Sequence, residues 1–368
     1  MARMLIELSE GLYEKLADHV SAGKYRDIDQ AIEVAILNQL KLESRESGLL
    51  SGEGVAAEPD PRTSPGPTDE QADRAPSDEY LAFLQLPDGS CGAVAAPGPE
   101  DLIFTDYISE EQMFLWGQFN RILPGKVGLR ILNTLVAESD ETYVPLTDYR
   151  YVASNVARGF GEFVKSLDDH HGRKRSDRFS NGLPIGPDRD KSMSRYRNHF
   201  LGRKRKSDNV LDGYLARLKF INIFVADGGT SLVGLTEAGL AFSKIHNELM
   251  TGAEADWPLS NLDIEFYLEH VLGNVPEERS ALVEVLGYVD QGHSHPAQID
   301  EMLARRTRVR PWTRAMVVTN RAGTLSRLWE LKLVTKTGDK ANKFSITLDG
   351  RRFLEQTAKL EEYRFEFS

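Results

Sequence analysis

Several features of secreted, membrane-bound and metal-dependent proteins are missing from this sequence. Cys91 is the only cysteine in 368 residues, so an intrachain disulfide is impossible and a zinc site built on cysteines is not expected. No apolar run approaches the roughly 20 residues of a membrane-spanning helix, and the N-terminus lacks the apolar region of a signal peptide. We therefore expect a cytoplasmic protein.

Recognisable catalytic motifs are missing as well. The chain has no G-x-x-x-x-G-K-S/T phosphate loop, no G-x-S-x-G elbow and no H-E-x-x-H helix. The run Asp168-Asp169-His170-His171 has metal-capable side chains, but adjacent residues of a helix point in different directions. The run His293-Ser294-His295-Pro296 is typical of a helix cap and loop. The sequence predicts no catalytic site, metal or cofactor, although carboxylates clustered by the fold would leave an enzyme acting on nucleic acid open.

Positive charge is scarce overall but concentrated in two basic stretches. The net charge is −11, yet twelve Lys or Arg stand against three Asp between Arg173 and Lys206. Between Met302 and Trp329 there are seven arginines and no Asp or Glu. Such local reversals of sign favour an anionic partner. The alternatives are a solvated charged loop or a contact with the chain's own acidic linker.

The second basic stretch contains a predicted helix followed by a β-hairpin. The helix spans Thr319 to Leu333, and its period turns three leucines inward: Leu325, Leu328 and Leu331. The same period places three residues on the outer face: Arg321, Thr324 and Arg327. The predicted strands are Leu333 to Lys336 and Lys343 to Ile346, with a turn at Gly338-Asp339-Lys340.

A helix rich in Arg and Thr, followed by a two-stranded wing with Lys340 at its tip, resembles the winged helix-turn-helix family. In that family the helix enters the major groove, where Arg can bond guanine bidentately, and the wing contacts phosphates. The alternative is an exposed basic helix packed on a small sheet.

The chain contains a second copy of this pattern. Leu215-Ala216-Arg217-Leu218 matches Leu325-Ser326-Arg327-Leu328, and Thr236-Glu237-Ala238-Gly239 matches Thr347-Leu348-Asp349-Gly350. In both copies the threonine can cap a closing helix. We predict two winged-helix domains, at residues 101–255 and 256–368.

Further helices are predicted from caps and apolar spacing. One begins at Ser109 and is stopped by Pro124-Gly125, and another follows Ser207 directly after the basic run Arg203 to Lys206. Three more complete the prediction for this part of the chain: Val127 to Val136, Tyr149 to Leu167 and Asp263 to Val275. Residues 45–100 are rich in Pro, Gly, Ser and acids and are predicted as a flexible linker.

The beginning of the chain has the pattern of one strand and two helices. Met4 to Leu8 alternates as a strand, and Ser9 can cap the first helix. This order resembles the ribbon-helix-helix family, whose strands pair between two chains. The resemblance implies a homodimerisation domain at residues 1–44, with or without DNA contact, and Arg3 is the outward strand residue suited to DNA. Other members of the family bind a toxin, so a protein partner is also considered.

We therefore predict a mainly α fold with small β-hairpins, built from a ribbon-helix-helix and two winged-helix domains. The predicted function is sequence-specific binding of double-stranded DNA by a homodimeric, nucleoid-associated transcriptional regulator of a prokaryotic, plasmid, phage or defence locus. An adaptor or antitoxin-like protein that assembles with a protein partner is the alternative. The predicted DNA contacts are Arg203, Lys204, Arg205, Lys206, Arg195, Arg197, Arg314, Arg321, Thr324, Arg327, Lys340, Lys343 and Arg3.

Overall fold

Helices dominate the architecture and small antiparallel sheets complete it, as the sequence predicts. The computed structural model describes residues 78–85, 114–139, 141–204, 211–226, 229–306, 311–337 and 343–366. The predicted ribbon-helix-helix, with Arg3, lies outside these ranges. Within them, no helix combines the length and the apolar content that crossing a bilayer requires.

The described residues contain helices of four to 25 residues. In chain order they are α1 Asp78–Ala82, α2 Leu123–Glu138, α3 Leu146–His170, α4 Arg189–Tyr196, α5 Tyr214–Arg217, α6 Glu237–Lys244, α7 Asn261–Asn274, α8 Pro276–Asp290, α9 Pro296–Arg305, α10 Arg314–Glu330 and α11 Leu348–Glu366. A π-helical turn, Arg197–Leu201, continues α4, and a 3-10 turn spans Glu248–Thr251.

The strands are short and all of their pairings are antiparallel. They are β1 Tyr143–Pro145, β2 Arg203–Lys204, β3 Leu211–Asp212, β4 Ile221–Val225, β5 Ser231–Leu235, β6 Val334–Thr337 and β7 Lys343–Ile346. One sheet has the order β1-β5-β4, and β2-β3 and β6-β7 form separate two-stranded ribbons. The β6-β7 ribbon pairs Val334 with Ile346, so the hairpin predicted there is confirmed.

Two modules repeat the same series of elements. The first module, residues 123–244, has helices α2 and α3, then a third helical segment, the β4-β5 hairpin and α6. The second module, residues 276–366, has α8, α9 and α10, the β6-β7 hairpin and α11. In the first module the third helical segment is split, because α4 and the π turn are separated from α5 by the β2-β3 ribbon. Its pieces of 8, 5 and 4 residues together match the 17 residues of α10.

Equivalent backbone hydrogen bonds fix the correspondence between the modules. The N–H of Phe220 donates to the carbonyl of Leu215 at 3.0 Å, and that of Leu333 donates to Leu328 at 2.9 Å. Leu215 therefore corresponds to Leu328. The sequence comparison matched Leu215 with Leu325 and is wrong by three residues, which is nearly one helical turn and so preserves the apolar pattern.

Both modules close through the same threonine cap. The N–H of Gly239 donates to the Thr236 hydroxyl at 3.0 Å, and Gly350 donates to Thr347 at the same distance. A Cβ on Gly239 would lie 1.9 Å from the Phe220 carbonyl oxygen, and the Gly350 position is similarly crowded. The predicted caps are confirmed, and glycine suits this position because each helix starts against a backbone carbonyl, that of Phe220 or Leu333, directly before β4 or β6.

Two predicted helices are wrong. Residues 114–122 are not helical, and α2 begins at Leu123 with Pro124 in its first turn. A proline is tolerated there because first-turn N–H groups have no partner within the helix. The helix predicted after Ser207 is wrong at Leu211–Asp212, which forms β3 and pairs with β2 of the basic run, and of the described residues there only Tyr214–Arg217 is helical. Gly202 lies directly before β2, and Gly213 lies directly after β3. Both are glycines where the two segments meet, since a Cβ on Gly213 would lie 2.3 Å from the Gly202 Cα.

The two modules share one hydrophobic core, whose described residues run from Leu84 to Phe353. The buried Glu330 carboxylate at the end of α10 accepts from the N–H groups of Ile122 and Leu123 at 2.7 and 3.1 Å. It therefore caps α2, which has no side-chain cap of its own. Leu84 lies within the range predicted as linker, so that part of the range packs on the modules.

Candidate nucleic-acid interface

Arg327 of α10 lies in the core. Its side chain is fully buried, and Nε and Nη2 donate to the two carboxylate oxygens of Glu278 at 2.7 and 2.8 Å. Nη1 donates to the carbonyl oxygen of Phe119. Burial lowers the pKa of Arg327, but the charge and hydrogen bonds of Glu278, together with the nearby Tyr267 and Tyr214, outweigh burial and raise that pKa. The predicted outward position of Arg327 is wrong, because a carboxylate 49 residues earlier in the chain holds it inside.

The Arg327–Glu278 pair belongs to a buried polar chain that joins the two modules. The Tyr267 hydroxyl donates to Glu278 at 3.1 Å and lies 3.1 Å from the Tyr214 hydroxyl of α5. Burial raises the pKa of Tyr214 and Tyr267, so both hydroxyls are neutral hydrogen-bonding groups. A buried network of this kind is costly to break, because each member satisfies another.

The other predicted contacts of the second module divide between buried and exposed positions. Thr324 is buried, so its predicted outward position is also wrong. Arg321 is half-buried, and its Nε donates to Asp300 at 2.9 Å. Arg314 at the start of α10 and Lys343 on β7 are exposed. The predicted outer face of this helix therefore offers little unpaired charge.

The first module concentrates positive charge where α4, the π turn and β2 lie beside α3. We define the arginine cluster as Arg150, Arg195, Arg197, His199 and Arg203. Two of its arginines have neutral partners: Nη2 of Arg150 donates to Asn198 at 2.9 Å, and Nε of Arg197 donates to the Ser154 hydroxyl at 2.7 Å. Arg195 and Arg203 are exposed. Among the described residues, none of the four arginines forms an ion pair.

Repulsion within the arginine cluster affects its pKa values. Burial lowers the pKa of Arg150, and the charges of Arg197 and Arg203 lower it further. Burial also lowers the pKa of His199, where two arginines of the cluster add to the effect and Asp212 opposes it. The cluster therefore carries unbalanced positive charge, and a bound anion would relieve the repulsion.

An exposed aromatic ring borders the arginine cluster. Trp116 is 41% exposed, and its ring centroid lies 5.5 Å from that of His199. The adjacent Gly117 N–H donates to the side chain of Asn320 in α10 at 2.9 Å, so this segment contacts both modules. Sequence reasoning missed Trp116 and Arg150, because both lie outside the basic stretches and only the fold brings them to the cluster.

The structure thus brings together three of the predicted contacts, Arg195, Arg197 and Arg203. Lys204 follows on β2, where its backbone alone is described. Three further predicted contacts lie outside the described residues: Arg205, Lys206 and Lys340.

Within the described part of the chain, no group of three His, Cys, Asp or Glu side chains is placed to hold a metal ion. No family model, curated protein or solved structure matches this chain. The arginine cluster is therefore interpreted from its own geometry and charge.

Proposed function

We propose that the protein binds double-stranded DNA through the arginine cluster and regulates transcription. One observation carries this proposal: four arginines without an ion pair in the described structure lie together beside the helical segment that precedes the β4-β5 hairpin. In winged helix-turn-helix proteins, which the sequence resembles, the helix before the wing enters the major groove. By this analogy α4 and its π turn face the DNA.

Electrostatics favours a polyanion over a single small anion at this surface. The arginines lie on three different elements, α3, α4 with its π turn, and β2, so they present charge along a surface and not around one point. Phosphate groups of a duplex repeat along its axis and can meet such an array, with release of condensed counterions. The exposed ring of Trp116 adds a flat contact surface at the edge of the cluster.

In this proposal the second module mainly supports the first. Its Glu278 is linked through Tyr267 to Tyr214 of α5, and its Glu330 caps α2, so the second module fixes the position of the first module. Arg314 and Lys343 remain as exposed groups that can meet phosphates. Homodimerisation through residues 1–44 would place two arginine clusters on one DNA site and raise the effective concentration of the second cluster.

The test is binding of the full-length protein to duplex DNA selected by that protein from a random-sequence pool. Replacing Arg195 and Arg203 together by Gln should weaken binding at least ~10-fold, because two exposed phosphate contacts are lost. The slope of log affinity against log salt should fall by about 0.9 for each lost contact. Fluorescence anisotropy over a series of salt concentrations measures both quantities.

The matched control removes the same number of charges elsewhere. Lys244 on α6 and Lys359 on α11 are exposed, and their joint replacement by Gln should leave affinity and salt slope unchanged. Circular dichroism verifies that each variant is folded. The proposal fails if the pool yields no enriched duplex and no salt-sensitive binding, or if both variants bind DNA like the parent protein.

A further inference from the structure

A second cationic site lies between the two modules, away from the arginine cluster. A cavity of about 650 Å³ opens between the segment joining α3 to α4 and the second module. We call it the cationic cleft. Its positive lining comes from both modules and from the segment before α2: Arg121, Lys174, Arg175, Arg321 and Lys336. None of the residues of the arginine cluster lines it.

The cations of the cleft are only partly neutralised. Lys336 forms an ion pair with Asp177, and Arg321 forms one with Asp300, and all four side chains are partly exposed. In the described structure Lys174 and Arg175 have no ion pair and are exposed. Asp177 and Asp300 pair with two of the five cations, and the carboxylates of Glu330 and Asp168 act on a third, Arg121. The exposed Lys174 and Arg175 carry the remaining positive charge of the cleft, which favours an anionic ligand.

The floor of the cleft contains a buried, incompletely bonded guanidinium. Arg121 is 3% exposed, and its Nη groups donate to the carbonyls of Ser326 and Ser176 at 3.3 and 2.8 Å. Its Nε is buried without a hydrogen-bond partner, and the guanidinium lies 4.8 Å from the centre of the Trp329 ring. Burial lowers the pKa of Arg121. A buried guanidinium with an unused N–H beside an open cavity is suited to bind an anion that enters the cavity.

Apolar residues line the cleft beside its cations: Pro296, Ala322, Leu325 and Phe344. Phe344 pairs directly with Lys336 in the β6-β7 ribbon, and Leu325 lies about one helical turn from Arg321 on α10. Asn120 and Asn181 line the cavity as well. A ligand that fits this lining carries phosphate next to a flat, largely apolar ring with polar edges. The volume lies in the range of about 300–1,000 Å³ that is usual for small-molecule sites.

We propose that the cationic cleft binds a nucleoside phosphate, with the phosphates at Arg175 and Lys336 and the base against Phe344 and Leu325. Duplex DNA offers the same phosphate chemistry, but its bases are stacked inside the helix, so the apolar residues of the cleft would have no partner. Arginine and lysine together suit phosphate, because guanidinium binds it bidentately and ammonium as a point charge.

Occupation of the cleft would act on the DNA-binding surface. A phosphate at Lys336 competes with Asp177, which belongs to the segment that leads directly into α4. The hydrogen bond from Lys336 to the Ser176 carbonyl, at 3.1 Å, would compete with the same phosphate. The nucleotide would thus change the link between this segment and the β6-β7 hairpin, and so the affinity for DNA.

Isothermal titration calorimetry of the full chain without DNA tests the binding step. The probes are AMP, ADP and ATP, the guanosine equivalents, and inorganic phosphate. At least one nucleotide should bind at ~100 µM or tighter and at least ~10-fold more tightly than inorganic phosphate. Arg175→Gln and Lys336→Gln should each weaken that nucleotide ~10-fold.

A steric variant separates the cleft from general attraction between charges. Ala322 is exposed on α10 and lines the cleft, so Ala322→Trp fills the cavity without changing any charge. It should abolish nucleotide binding, whereas the Arg195→Gln/Arg203→Gln variant should bind the nucleotide normally. Equal affinity for phosphate and nucleotides, no binding of any nucleotide at 1 mM, or normal binding by Ala322→Trp would each overturn the proposal.

Discussion

The two modules share a backbone design but use arginine in opposite ways. In the first module two arginines of the cluster bind neutral side chains, and the other two, Arg195 and Arg203, are exposed. In the second module Arg327 is buried against Glu278, and Arg321 is paired with Asp300. The second basic stretch has no acidic residue of its own, yet two of its arginines find carboxylates elsewhere in the fold. A high local density of arginine therefore does not identify a binding surface until its partners are known.

The largest expected effect comes from the buried pair of the second module. Arg327→Met should destabilise the protein by about 3–5 kcal/mol, because it leaves the Glu278 carboxylate buried without its cation. Urea denaturation measures the change. Arg314→Met, at an exposed position of the same helix, should change stability by less than about 0.5 kcal/mol. If Arg327→Met is as stable as the parent but loses DNA affinity, α10 and not α4 is the DNA-reading helix.

The next prediction concerns Arg217, the residue that the sequence comparison placed beside Arg327. Its Nη2 lies 3.1 Å from the buried carboxylate of Glu277. Burial raises the pKa of Glu277 from 4.5 to about 7, although Arg217 opposes the rise. The fold thus favours the protonated carboxyl, whose stabilising contribution is present below about pH 4.5 and is lost as the pH rises through about 7.

Glu277→Gln removes this titration. The stability of the variant relative to the parent should increase between pH 5 and pH 8 by up to about 3 kcal/mol, since one pKa unit corresponds to about 1.4 kcal/mol. Urea denaturation of both proteins at four pH values measures it. If the unfolding free energies of the two proteins change with pH in parallel, Glu277 is charged in the folded protein. Arg217 would then stabilise the Glu277 carboxylate as effectively as Arg327 stabilises that of Glu278.

The smallest expected effect probes the shared backbone. Gly239→Ala and Gly350→Ala should each destabilise the protein by about 1–3 kcal/mol, because the new methyl group meets a backbone carbonyl in both modules. Gly273→Ala and Gly287→Ala are matched controls, since a Cβ at either helical position meets nothing within 4 Å. These controls should stabilise by up to about 1 kcal/mol. If only Gly239→Ala lowers the free energy of unfolding, the two closing turns share a backbone geometry but do not contribute equally to stability.

The elements that sequence predicted well are those specified by short-range chemistry. The caps at Thr236 and Thr347 depend on a glycine three residues later, and the β6-β7 hairpin depends on alternation within four residues. The failures have local explanations too. Pro124 stops a helix or starts one, and the sequence around it does not distinguish these roles. In the comparison of the two modules, Leu215 could be aligned with Leu325 or with Leu328, because these two leucines lie about one helical turn apart and are both apolar.

The candidate site was predicted only in part. Arg195, Arg197 and Arg203 lie within one stretch, so their grouping could be anticipated, whereas Arg150 and Trp116 join them only through folding. The inward and outward faces of α10 were misassigned because a helical period assumes one solvent-facing side. Segment 114–122 packs on α10 so closely that a Cβ on Gly323 would lie 2.0 Å from the Gly117 carbonyl oxygen.

The sequence by itself determined where charge accumulates, the threonine caps of the two closing helices and the β6-β7 hairpin, since each of these depends on neighbours a few positions away. Tertiary structure alone decided which arginines are neutralised. The energy of an ion pair depends on the distance and the burial of both partners, and the partners of Arg327 and Arg321 are 49 and 21 residues distant along the chain.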